Sequence, residues 1–160
     1  MLKELFELKK AQRLLNEKYF DGELPEAIIT IQRSGKNVTD SWFCQDKWVD
    51  NDGNYFHEIN ICAEIMNKGK LVVMTALLHS MIHMYCNVNG IAETARVGMY
   101  HNRLFKDESA KRDLLTEKTP RNGLSKSIPT DKFQEFVENC DVEDVFNIYR
   151  IEQFVNPPIV

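Results

Sequence analysis

Residues 71–87 constrain this chain more than any other stretch, because they are apolar on nearly every side. A helix that is apolar all round has to be buried, so this one belongs at the centre of a core. Asn89-Gly90 supplies its stop. Its middle nevertheless carries His79 and His83, with Ser80 between them. Residues four apart lie on one helical face, so both imidazoles can reach a single point. Two polar rings in an apolar helix need polar partners, and a shared cation supplies one for both.

The remaining elements follow from local pattern. Residues 2–20 place Leu2, Leu5, Phe6, Leu8, Leu15 and Tyr19 near the helical period, and Asp21-Gly22 and Pro25 end the run. Residues 27–32 are short and β-branched, as a strand requires. Residues 41–49 and 54–61 read as a hairpin closed through Asp50-Asn51-Asp52-Gly53. A looser stretch, 91–100, leads to a helix expected from His101 through Leu114. Residues 116–129 read as a polar connector, followed by a short helix capped at Thr130 or Asp131. A last strand is expected within 146–155. This order gives an α+β fold: a small sheet against the buried histidine helix and an N-terminal helix.

Composition narrows the class. The chain has 160 residues, one domain's length, with 43% hydrophobic and 28% charged residues. Thr75, His79 and Ser80 interrupt the apolar stretch, so no run matches a membrane span of roughly 18–20 residues. The N-terminus is amphipathic and charged rather than signal-like, which makes the cytoplasm the expected location and a membrane partner unexpected. The four cysteines (Cys44, Cys62, Cys86 and Cys140) form no C-x-x-C pair, and free thiols are expected. A net charge of −4 argues against bulk attraction to nucleic acid. Residues 101–126, with seven Lys/Arg against four Asp/Glu, leave DNA as a weaker partner candidate.

A metal site needs three or four converging donors. Only His57 and His101 remain, and His101 lies 18 residues past His83 after a loop long enough to fold back. It is therefore the expected third ligand, whereas His57 sits on a strand as a surface or edge residue. Three imidazoles suit zinc, and also nickel, cobalt or copper.

The chain resembles the SprT-like family of zinc metalloproteases, in its compact bacterial and phage form. The matching segments are residues 14–25, which include Tyr19-Phe20-Asp21-Gly22, then residues 29–32, 55–64 and 77–83, and finally Tyr100-His101-Asn102-Arg103-Leu104-Phe105-Lys106. The resemblance implies a zincin-like core over residues 1–115, with residues 116–160 as an extension that lacks the zinc ribbon of many relatives. It implies one zinc ion on His79, His83 and His101. It also implies a cleft beside Glu58-Ile59-Asn60, where a peptide or protein segment docks by strand addition.

The departures carry equal weight. In the H-E-x-x-H motif the residue after the first histidine is the general-base glutamate, and here it is Ser80. A serine hydroxyl cannot take a proton from metal-bound water near neutral pH. Where the family usually has a Gly-His-Phe segment this chain reads Asp40-Ser41-Trp42-Phe43, and the glycine-rich approach to the third histidine is reduced to Arg96-Val97-Gly98-Met99. Glu93 and Glu108 flank His101 and are the carboxylates able to replace the base if either reaches the metal. Two readings of the serine follow. One is a zinc-binding pseudoenzyme that holds a peptide without cutting it. The other is an active metallopeptidase, acting on DNA-associated proteins, with an engineered inactivation at position 80.

Overall fold

The computed structural model describes residues 1–36, 38–96 and 98–150. Helix α1 (Leu2–Tyr19) buries Leu8, Ala11 and Leu15. It ends where Asp21 and Gly22 turn left-handed, with φ of 53° and 70°. The amide of Gly22 then closes on the Asn16 carbonyl. The Asn16 side chain clasps both backbone groups of Leu24, which fixes the turn into the first sheet.

That sheet has three strands: β1 (Ile28–Gln32), β2 (Ser41–Val49) and β3 (Tyr55–Cys62). Their spatial order is β1-β3-β2, with β3 parallel to β1 and antiparallel to β2. The expected hairpin closes through Asp50, whose Oδ1 accepts from the amides of Asp52 and Asn54, with Gly53 at φ 82°.

Helix α2 (Gly69–Val88) crosses this sheet as the central core element, burying Val73, Met74, Leu77, Leu78, Met81 and Ile82. It ends as expected: Gly90 adopts φ 67° and the Ile91 amide bonds the Cys86 carbonyl. Among the described residues α2 is the one helix long and apolar enough to cross a membrane, although polar residues interrupt its apolar run. Here it is packed inside the fold and carries His79 and His83.

The second sheet was not anticipated. Residues 116–129, expected as a connector, form most of a hairpin between β6 (Leu114–Thr119) and β7 (Gly123–Pro129). β7 pairs with β5 (Tyr100–His101), and β5 with β4 (Thr94–Ala95). The polar alternation of Thr116, Glu117, Ser125 and Lys126 is that of a ribbon with one wetted face, and it hides the strand signal. Helix α3 (Arg103–Ala110), capped by Asn102, stops earlier than expected. Asp113 turns left-handed at φ 59°, and Leu114 begins β6 instead of ending the helix. Thr130, one of the two expected caps, accepts from the Phe133 amide and starts α4 (Asp131–Asn139).

The final strand does not form in its described part: residues 146–150 have no regular structure, and 151–155 lie outside the described residues. All four cysteines are free, with Cys62 and Cys86 buried. The fold is thus α+β, with four α-helices and two small mixed sheets among the described residues.

Candidate metal centre

Helix α2 presents His79 and His83 one turn apart, and β5 delivers His101 from the opposite side. The three Nε2 atoms form a small triangle: His79–His83 is 3.1 Å, His83–His101 3.0 Å and His79–His101 3.3 Å. The cluster expected from the sequence is therefore assembled, and among the described residues these three histidines form a group able to hold a metal ion.

Each ring's other nitrogen has its own partner. His83 Nδ1 meets Glu93 Oε1 at 3.0 Å, His101 Nδ1 meets the Asn122 carbonyl at 3.1 Å, and His79 Nδ1 meets Ser127 Oγ at 2.8 Å. A carbonyl and a carboxylate only accept, so the Nδ1 atoms of His83 and His101 carry the protons. Their Nε2 atoms then present bare lone pairs to each other at 3.0 Å. A proton on His79 Nε2 can relieve only one of those lone pairs; a shared cation relieves all three. Tetrahedral zinc–imidazole bonds of about 2.0–2.1 Å place nitrogens roughly 3.3 Å apart, close to the spacing seen.

Burial favours the neutral, metal-ready form. It holds all three imidazoles below their ordinary range, assisted at His79 and His83 by the neighbouring rings, with His83 pushed down to about 3. Phe105, fully buried on α3, forms the floor. Its ring centre lies 4.8 Å from His79, 4.5 Å from His83 and 4.7 Å from His101, stacked on the second of these.

Ser80 occupies the base position in the motif but not a place in the cleft. It is fully buried, with its Oγ 2.7 Å from Ser41 Oγ. Ser41 donates to the Ala76 carbonyl at 2.8 Å, so the Ser80 hydroxyl donates to Ser41. The two carboxylates considered as replacements serve elsewhere. Glu93 grips the outer nitrogen of His83, and Glu108 pairs with Lys111 and Arg112.

The expected docking residues need correction. Strand β3 is paired on both edges, so Glu58-Ile59-Asn60 cannot receive an added strand. Glu58 accepts from the indoles of Trp42 and Trp48, Ile59 is core, and Asn60 bonds Thr30. β2 is the strand whose outer side borders the cleft, through Ser41, Trp42 and Phe43. His57 stays apart from the cluster, as expected, and accepts from the Asp46 amide.

Four supporting residues went unread as such in the sequence: Glu93, Asn122, Ser127 and Phe105. Only Glu93 carried a signal, since carboxylates commonly orient the outer nitrogen of histidines that hold a metal. No family model, curated protein or solved structure matches the chain.

Proposed function

We propose that this chain is a SprT-like, zinc-binding cytoplasmic protein, a catalytically inactive metalloprotease homologue that holds a peptide or protein segment without cutting it. The observation that carries the reading is the triangle of Nε2 atoms backed by three occupied Nδ1 atoms, while Glu93 and Glu108, the carboxylates nearest His101 in sequence, are engaged elsewhere. Zinc bound there supplies a Lewis acid and a water of lowered pKa. The chain's own residues supply the rest of the site. Glu93, Asn122 and Ser127 orient the imidazoles, Phe105 excludes water beneath them, and the outer edge of β2 offers backbone groups to an extended segment.

Loss of a general base costs about 10²–10⁴ in rate. That factor is enough to turn cleavage into retention. Purified protein is expected to hold one zinc ion per chain by elemental analysis, to lose thermal stability on chelation, and to leave an unfolded substrate such as casein intact. Absence of bound metal after zinc loading overturns the metal reading. Cleavage of casein by the zinc-loaded protein overturns the inactive one in favour of a working peptidase.

A further inference from the structure

The histidine cluster lies between two connected lobes of one cleft. The first lobe, about 690 Å³, and the second, about 620 Å³, share Ser41, His79, His101 and Asn122 as common walls. Their chemistry differs. Arg121 and Lys126, both on the β6–β7 hairpin, line the first lobe. Phe43, Ile91 and Met99 line the second, where the only carboxylate among the described residues is that of Glu93, already engaged by His83.

Arg121 makes no ion pair among the described residues. Lys126 faces Glu117 at 3.4 Å across an exposed pair, of the kind that holds its partners weakly. Among the described residues the guanidinium and the ammonium therefore stand at the cleft without a firm counter-charge, and Asp40 is the only acid lining that lobe. In the other lobe Met99 is 45% exposed, an unbranched apolar side chain able to adapt to what covers it.

We propose that the cleft takes an acidic peptide segment laid across the three histidines, its carboxylate beside Arg121 and Lys126 and an apolar side chain against Phe43, Ile91 and Met99. This inference rests on the peptide-binding reading and adds the chemical class of the peptide. Arginine presents a planar fork that matches a carboxylate, and the lysine adds a second donor. A nucleic-acid strand fits less well. It carries a phosphate at each nucleotide, and this wall offers two cations with Asp40 beside them.

The test is selection from a displayed random decapeptide library on the full chain, with zinc-loaded and chelated samples run in parallel and zinc content measured. Asp and Glu are expected to be enriched together with an apolar residue. The selected peptides are expected to bind about tenfold more tightly than their Asn/Gln counterparts. The Arg121→Ala/Lys126→Ala variant is expected to lose the acidic preference and keep the apolar one, and Arg121→Glu to favour lysine-bearing peptides. Equal affinity for acid and amide peptides, or tighter binding of a thymidine oligonucleotide than of any selected peptide, overturns the proposal. Failure to bind zinc while the acidic preference persists overturns only the metal reading. Failure to select any peptide overturns the binding reading along with this one.

Discussion

At the scale of single residues, Ser80 shows how a substitution is absorbed by its surroundings. Its hydroxyl is buried and donates to Ser41, which in turn donates a hydrogen bond to the Ala76 carbonyl. The pair ties β2 to α2 at the wall of the cleft. Loss of either hydroxyl is expected to cost about 1 kcal/mol. The double variant Ser41→Ala/Ser80→Ala should cost less than the sum of the two, a coupling that urea unfolding of all four proteins measures. Ser80→Glu alone sets a carboxylate against Ser41 and is expected to destabilise by about 3 kcal/mol. Adding Ser41→Gly opens space and recovers part of that loss. If Ser80→Glu is as stable as the parent, position 80 has more room than the hydrogen bond to Ser41 implies.

Individual elements differ in how far the sequence exposes them. Helix α2 was legible because an all-apolar run has only one place to go, β1 because it is a short β-branched run, and β2 and β3 because an Asp-Gly turn signal separates them. The histidine triad was legible for a related reason: only four histidines exist and two are fixed on one helical face. The β6–β7 hairpin was not, since its strands are rich in Thr, Ser, Lys and Glu and bury little. Ser80's orientation was also hidden, because spacing gives the position of a side chain and not the partner it finds across the core.

That same hairpin holds His101 of the cluster in place. Gly123 pairs with His101 at φ 64°, and a Cβ there would stand 2.4 Å from the His101 carbonyl oxygen. Gly123→Ala must push β7 away from β5 and carry the Asn122 carbonyl off His101. Zinc affinity is expected to fall about 10–100-fold, as it does when an orienting partner is lost. Competition with a chromogenic chelator reads this directly, and an unchanged affinity would show that the hairpin does not position His101.

For the whole molecule, one cation joins the parts. The Arg112 guanidinium lies 4.0 Å from the Tyr85 ring centre and 4.7 Å from that of Phe20. It also donates to the Tyr19 carbonyl and to Glu108, so that α1, α2 and α3 meet on it. Burial raises the Glu108 carboxyl, but the bonds from Lys111 and Arg112 outweigh that and hold it below its usual range. A depressed carboxylate stabilises the fold above its unfolded pKa of about 4.3 and loses that contribution as pH falls through the lower, folded value. Glu108→Gln is therefore expected to unfold more easily at pH 7, with the gap narrowing in acid below about pH 4. Thermal melts of both proteins across that range check the sign, and a gap that widens in acid contradicts it.

The three nitrogens also have a consequence for the chain as a polymer. His83 and His101 are 18 positions apart, and an ion joining them closes that stretch into a ring. Closing a loop of this span costs chain entropy, and that cost is met when the fold brings the three rings together and not in the unfolded chain. Helix α2 forms from neighbours in sequence, whereas β5 and its hairpin reach the helix only by closing that ring. A metal bound there would be a topological tie as much as a chemical one, joining α2 to the β5 strand and its hairpin neighbour.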